Sequence, residues 1–332
     1  MIMNILITGG TGFVGINLIP LFLKDGHNVS VLCRDRQKAV RLLDHRVKII
    51  IGDVIDKDSI KGCCRHIDVV YHMVAKVGND LPSDKTLAAF RKVNVVGTAN
   101  MVEEAKKNNV KKFIFISSIA AMGIVKEGII TENSPCTPYL PYQISKWEAE
   151  QVVNDAFEKV GFSTMIIRPA KVYGYGEREY SYLSLCKLCK RGFFPKIGTG
   201  RNMTCHLYIS DLIDALYNAL NGGISGETYI LASKGSISLA ESARIIGKEI
   251  NKSIYFIYIP VFLMVAMAFM AEHFFLMLGR KPPVTKRNVM ATVSDRIYDI
   301  SKSECDLNFH PKTTMKEGIK KVVAYYKEQH LI

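Results

Sequence analysis

Tyr142-Gln-Ile-Ser-Lys146 sets a phenol and an ammonium four residues apart at the opening of a helix-patterned stretch. At that spacing both side chains share one helical face, with Cβ atoms about 5–6 Å apart. A free tyrosine titrates near 10 and is a poor base at neutral pH. A neighbouring cation favours the phenolate, each tenfold gain in its ionisation being worth about 1.4 kcal/mol. Alone the pair would pass for surface decoration. It gains meaning from "FIFISSIAAMG", where Ser117 and Ser118 end a run that reads as a buried strand. A hydroxyl there polarises a substrate carbonyl beside the tyrosine; the plainer reading is a pair of loop or helix-capping serines.

A second constellation opens the chain. Thr8-Gly-Gly-Thr-Gly-Phe-Val-Gly15 lies between a strand pattern and a helix pattern, with Gly9, Gly12 and Gly15 in GxxGxxG spacing. Glycine permits the tight turn and the close approach of a pyrophosphate, and the helix start offers free N–H groups and the positive end of its dipole. Dinucleotide contacts are therefore expected at Gly9, Thr11, Gly12, Phe13, Val14 and Gly15, with an oxidised nicotinamide further favouring a Tyr142 phenolate. The end of the second strand selects the coenzyme. An acid there would bind the ribose 2′-hydroxyl of NAD, but the position holds Cys33, followed by Arg34. A cation in that place suits the 2′-phosphate of NADP, which is the expected cofactor, NAD remaining open; in the alternative Arg34 is a loop charge and Asp35 makes the choice. Asp53, in "GDV" after the third strand, is expected to face the adenine, or else to cap the turn that follows.

The elements that carry these groups alternate. "MNILIT" (3–8), "NVSVLC" (28–33), "VKIII" (47–51), "DVVYHM" (68–73), "KFIFIS" (112–117) and "TMIIRP" (164–169) read as strands, with helices over 13–25, 83–107 and 143–160. Nearly continuous apolar strands separated by helices predict an α/β fold: a doubly wound parallel Rossmann sheet covered on both faces. After Gly174 the rhythm breaks into helices at 180–190, 238–250, 260–278 and 314–328 and a returning strand, "GETYIL" (226–231). The expected division is a dinucleotide-binding domain of 1–174 with 204–233, and a smaller mixed substrate-binding domain of 175–203 with 234–332, covering the carboxyl ends of the strands.

Composition narrows the partners. The 332 residues are 48% hydrophobic and carry a net charge of +13 spread over several short clusters. Such clusters are most often solvated faces, and they also suit an anionic cofactor or membrane surface; no zinc-finger or RNA-binding signature suggests nucleic acid. Eight scattered cysteines point to reduced thiols in a cytoplasmic setting, and Cys186 and Cys189, though spaced like a metal pair, lack a second pair, so no metal is expected. No basic segment or cleavage site precedes the glycines, so no secretory leader is expected.

In order along residues 3–230, TGGTGFVG, Asp53-Val54, "VVYHMVA" (69–75), "NVVGT" (94–98), "SSIAAMG" (117–123), Tyr142 with Lys146, "RPAKVYG" (168–174) and "HLYISDLIDA" (206–215) resemble the extended short-chain dehydrogenase/reductases. The resemblance implies Ser118, five before Gly123, as the catalytic hydroxyl, Tyr142 as the acid/base and Lys146 as the residue that tunes it and holds the nicotinamide ribose. It also implies cofactor contacts at Val54, at Ala75 and after Pro169, including Val172, and a homodimer through 83–107 and 143–160. "CRD" (33–35) resembles the NADP-preferring dihydroflavonol-reductase branch.

On substrate, sugar dehydratases of this family carry Asp-Glu after the catalytic hydroxyl, because elimination needs an extra acid and base; here those positions are Ile119 and Ala120. Lys171 stands where nucleotide-sugar enzymes often place an Asn. The C-terminal third, with an apolar helix, a basic Pro-Pro/Thr segment and "YDISKSECDL", resembles the 3β-hydroxysteroid and sterol dehydrogenase branch, departing at Ser303 to Leu307. The expectation is therefore hydride transfer between a secondary alcohol and a ketone on a hydrophobic, steroid-like substrate. The rivals are a nucleotide-sugar 4-epimerase and a non-catalytic dinucleotide binder.

One stretch fits none of this easily. Ile259 to Leu278 is apolar but for Glu272 and His273, and Arg280, Lys281, Lys286 and Arg287 follow. It just reaches the roughly 20 residues of a bilayer span, yet each charge at depth costs on the order of 3 kcal/mol. Two readings remain: a helix buried on most sides that lines the substrate pocket, or, over 259–287, peripheral contact with an anionic membrane.

Overall fold

The computed structural model describes residues 1–125, 128–177, 181–278, 280, 282 and 284–332, with only the backbone of Asn288. Strand β1 (Asn4–Thr8) leads through a glycine turn into α1 (Phe13–Lys24), then β2 (Asn28–Cys33), α2 (Arg36–Leu42), β3 (Lys48–Ile51) and a short α3 (Lys57–Ile60). The chain returns to the centre with β4 (Val69–His72), followed by α4 (Asp84–Arg91), a π-helical turn (Lys92–Val96) and α5 (Gly97–Lys107). After β5 (Lys112–Ile116) come a 3₁₀ turn (Ile119–Met122), α6 (Pro141–Val160) and β6 (Thr164–Pro169).

The remainder interleaves short strands and helices. These are β7 (Lys171–Tyr173), α7 (Leu183–Lys190), β8 (Phe193–Ile197), β9 (Met203–Thr204), β10 (His206–Tyr208), α8 (Ile209–Asn218) and β11 (Thr228–Leu231). Then follow β12 (Ile237–Ser238), α9 (Leu239–Glu249), β13 (Tyr255–Ile259), α10 (Val261–Met277), α11 (Lys286–Val293), α12 (Ser301–Leu307) and α13 (Met315–Glu328).

Seven strands form one sheet in the order β11-β6-β5-β4-β1-β2-β3, every neighbouring pair parallel. Alternate residues feed two cores, as the pleat requires. Ile5, Ile7, Val31, Tyr71 and Ile114 pack on the side of α1 and α8, whereas Leu6, Leu32, Val70, Phe113 and Phe115 pack on the side of α5 and α6. Both faces being covered, the strands read as continuous apolar runs. The chain reverses its winding between β1 and β4, which opens the crevice where such sheets take ligands.

Three expectations are corrected. The helix expected over 83–107 is two helices joined by the π-helical turn; the extra residue turns Asn94 inward, a device that recurs at functional sites. The start of the helix expected at 180–190 lies outside the described residues, and α7 begins at Leu183. The apolar helix expected to be buried on most sides is not: Ala268 alone is buried along α10, and Phe262 and Met277 are 77% and 87% exposed. Among the described residues its one substantial helical neighbour is α11, too short a partner to cover a helix that is apolar all round. Among the described residues no helix is long and apolar enough to cross a membrane. Lys281 of the expected basic segment lies outside the described residues.

Candidate active site

The turn after β1 fits a dinucleotide. Gly9 has φ +76°, and a Cβ there would stand 3.0 Å from the Met73 backbone. Gly15 lies so close to Gly10 that a Cβ would meet its Cα at 2.5 Å, which seats the first turn of α1 directly on the loop. Gly12 caps α1 without a side-chain hydrogen bond, and the first turn holds no acid. The N–H groups of Phe13 and Val14 thus begin an uncapped helix, a ready anion site beside Thr11.

At the far ends of β2 and β3, Arg34 and Asp53 form an ion pair at 3.6 Å, the arginine side chain 76% exposed. Asp35 caps α2, accepting from the Lys38 amide at 2.9 Å, so its carboxylate is already engaged. Asp53 also accepts from the Ile55 amide at 3.2 Å; it thus carries part of the turn-capping role offered as its alternative.

Tyr142 stands in the first turn of α6, half-buried, its ring 6.3 Å from that of Phe90. Lys146, one turn on, is 1% exposed. Its Nζ donates to Ile116 O at 2.8 Å and lies 4.1 Å from the centre of the Phe115 ring. Burial pushes this ammonium down to about 7, with Glu150 pulling the other way. Ser118 caps the 3₁₀ turn, its Oγ accepting from the Ala120 amide at 3.1 Å. The capping alternative is therefore real, but an accepting hydroxyl keeps its own hydrogen to donate. Ile119 and Ala120 extend this turn with apolar groups.

Three buried polar groups that the motifs did not single out hold these residues in place. Asn94 donates to Lys76 O at 3.0 Å and Ser145 Oγ at 2.8 Å and accepts from the Lys76 amide at 2.7 Å. Ser145 in turn donates to Tyr142 O at 2.9 Å, so Asn94 ties the segment after β4 to the first turn of α6. Glu150, fully buried, accepts from Ser117 Oγ at 2.5 Å and pairs with Arg168 at 2.8 Å, joining α6, β5 and β6. Ser117 is thereby engaged with Glu150. His72 spans Thr8 Oγ1 at 2.8 Å and Thr98 Oγ1 at 3.1 Å. The Thr98 hydroxyl spends its hydrogen on Asn94 O at 2.6 Å, so His72 Nε2 donates and Nδ1 accepts from Thr8. Burial, with Lys146 nearby, pushes His72 down to about 3 and keeps it neutral. The signals for Asn94 and Glu150 were a polar residue inside "NVVGT" and an acid four after Lys146.

The strand ends collect the rest. Ala75 follows β4, and Pro169 closes β6 before Val172 in β7, which pairs in parallel with β10. Val54 is buried in the core beneath α5. The parallel sheet thus brings Gly9 to Gly15, Ala75, Ser118 and Pro169 to one edge, with Arg34 and Asp53 displaced towards β3. Cys186 and Cys189 are buried in the core instead, where burial raises their thiols to about 12 and about 11.

Known proteins resemble the chain along nearly its whole length. The chain is 27% identical, over 97% of its length and 95% of the other, to an N-acetyl-α-D-glucosaminyl-diphospho-ditrans,octacis-undecaprenol 4-epimerase of Escherichia coli O157:H7. It is 28% identical to a UDP-glucose 4-epimerase of Vibrio cholerae, again over 97% of this chain and 95% of that protein. Its fold matches the crystal structure of a UDP-glucose 4-epimerase from Thermotoga maritima with a TM-score of 0.77 and 22% identity, covering 99% of this chain and 100% of that one. The profile of the NAD dependent epimerase/dehydratase family matches residues 5–232. The chain is an enzyme of the NAD dependent epimerase/dehydratase family.

Proposed function

We propose that the chain is a 4-epimerase of a hexose joined to a diphosphate carrier, in place of the steroid-type dehydrogenase favoured by its C-terminal resemblance. The observation that carries this reading is likeness along nearly the whole chain to two 4-epimerases whose names share a hexose on a diphosphate. Two further points support it. Ile119 and Ala120 leave the turn after Ser118 without the acid and base that elimination requires, which favours epimerisation over dehydration. The exposed α10 also removes the greasy pocket wall on which the steroid reading leaned.

The dinucleotide is assigned to the α1 turn, with Ala75, Tyr142, Lys146, Pro169 and Val172 towards its nicotinamide. Bound there, it supplies a ring that accepts a hydride and returns it. Tyr142 removes the proton of the sugar C4 hydroxyl, and Ser118 donates to the same oxygen. Lys146, when charged, favours the Tyr142 phenolate by its field. The ketone oxygen then stays between Ser118 and Tyr142 while the sugar presents its other face, and Tyr142 returns the proton. Oxidation and reduction cancel, so no coenzyme is consumed.

Arg34 is assigned the coenzyme choice, NADP over NAD. Its pairing with Asp53 is exposed and long, hence worth at most about 1 kcal/mol, and yields readily to a 2′-phosphate. Arg34→Ala should weaken NADPH about tenfold and leave NADH unchanged; equal losses would return the choice to Asp35.

The reaction is tested with UDP-glucose, UDP-N-acetylglucosamine and a 3β-hydroxysteroid, product configuration being read by proton NMR and coenzyme by absorbance. The expected result is a C4-epimer mixture from a sugar with no net absorbance change. Stoichiometric coenzyme reduction by the steroid, without epimer, would overturn the proposal.

A further inference from the structure

From the outward half of α10 and its basic surroundings we infer a docking surface for an anionic lipid bilayer. The helix is apolar around its whole circumference, which ordinarily marks a helix buried on all sides or within a membrane. Here the fold covers one side only. Projected at about 100° per residue, the exposed Phe262, Leu263, Met267, Met270, Phe274 and Met277 share one arc opposite the buried Ala268. Of the two polar residues of the helix, Glu272 lies off this arc and the exposed His273 lies within it. Glu272 points towards α11, where its Oε2 meets the Lys286 amide at 3.4 Å, and His273 Nδ1 lies 2.9 Å from Phe269 O in its own helix. Seventeen residues span about 25 Å, so the face is long and apolar but for the exposed His273.

The face continues along the chain into the two-stranded ribbon of β8 and β13. Phe193 pairs with Tyr255 and Pro195 with Ile257 on one side of the ribbon, and Phe193, Tyr255 and Ile257 are each more than half exposed. Gly198 N donates to Ile259 O at 2.9 Å, closing the ribbon where α10 begins.

Charge selects the occupant. Residues 181–210 contain Lys187, Lys190, Arg191, Lys196 and Arg201 and no carboxylate; residues 250–294 add five cations against Glu272 alone. Arg191 and Lys252, both exposed, enter the two strands of the ribbon, and exposed Arg280 and Lys286 follow α10. An apolar helical face flanked by aromatic side chains and cations matches the acyl and headgroup layers of an anionic bilayer, into which such a helix settles lengthwise without crossing. The surface adjoins the candidate site, because Arg287 stacks on the Tyr139 ring at 4.1 Å, three residues before Tyr142. The docking goes beyond the epimerase reading and stands whichever substrate the site accepts.

Flotation of the full chain with phosphatidylcholine vesicles, with and without phosphatidylglycerol, at low and high salt tests it. The wild type should float with phosphatidylglycerol vesicles at low salt. The triple variant Phe262→Ser/Met270→Ser/Phe274→Ser should lose at least about tenfold in bound fraction with an unchanged melting temperature. Lys190→Glu/Arg191→Glu/Lys252→Glu should lose the preference for the anionic vesicles. Absence of wild-type flotation at low salt, or equal flotation of the wild type and the apolar variant, overturns the inference. A wild-type dimer by analytical ultracentrifugation that the apolar variant dissociates, with no flotation, assigns the face to a second copy and also overturns it. Nicotinamide coenzyme binding by fluorescence, followed in parallel, should be the same in all three proteins, so failure of docking is separable from failure of the catalytic reading.

Discussion

Helices α1 and α10 are both strongly apolar, each begins close to a proline or glycine turn, and each follows a strand, yet they meet opposite fates. Helix α1 buries Gly15, Leu18, Ile19, Phe22 and Leu23, against the sheet on one side and α8 on the other. Helix α10 buries Ala268 and leaves the rest half or wholly exposed. Composition does not separate them; the surface each finds does. The crossover from β1 to β2 returns α1 to a seven-stranded sheet that cannot be left uncovered. The ribbon from which α10 departs has two strands, and its inner side is already taken by Phe194 packing towards the core. The chemistry proposed for the chain accordingly lies in its interior, and its C-terminal arm carries the surface proposed for docking.

Tyr142→Phe should separate these two regions most sharply. Turnover should fall by about 10²–10⁴-fold, the usual worth of a positioned acid/base, while coenzyme binding and vesicle flotation stay as in the wild type. Retained turnover would detach the chemistry from this residue. Next in size, Phe22→Ala should destabilise by about 3–5 kcal/mol, because the fully buried ring leaves a cavity between α1 and Tyr71. Denaturant unfolding measures it, and a loss as small as that of an exposed residue would mean that the α1 side of the sheet is loosely packed.

Lys146 gives a pH signature of the interior. Burial holds it down to about 7, whereas an unfolded lysine titrates near 10.4. Between those values unfolding takes up a proton, so raising the pH favours the folded chain; below about 7 both forms are charged and the burial penalty is full. The stability of the wild type relative to Lys146→Met should therefore climb from about pH 7 to about pH 10. A difference that is flat or falls with pH would mean that Lys146 remains charged in the folded chain. The smallest effect is expected on the arm: Phe274→Ala, at a side chain 59% exposed, should change stability by no more than about 0.5 kcal/mol. A loss approaching that of Phe22→Ala would show that α10 is covered in solution and would erase the contrast.

Much of this was legible along the chain. The strand patterns at 28–33, 112–117 and 164–169 match β2, β5 and β6 to within a residue, because strands buried on both faces carry short apolar runs whose length and β-branched or aromatic enrichment separate them from helices. The glycine spacing and the four-residue step from Tyr142 to Lys146 were legible for the same reason: a turn and a helical face are set by neighbours. Short strands such as β7, β9 and β12 were not, since two or three residues hold no period. Ser118 carried two meanings at once, and only its contact with the Ala120 amide shows that it caps the turn with its hydrogen still to give.

Local physics in the chain therefore settled the parallel α/β architecture, the uncapped helix start after the glycine turn and the face shared by Tyr142 and Lys146. Three things required the folded molecule: the bridge from Ser117 through Glu150 to Arg168, the Asn94 link into α6, and the exposure of α10. Each depends on partners distant in the chain. A hydrogen bond needs both of its groups brought to within about 3 Å, and an apolar face is buried only if the fold has a surface left to cover it.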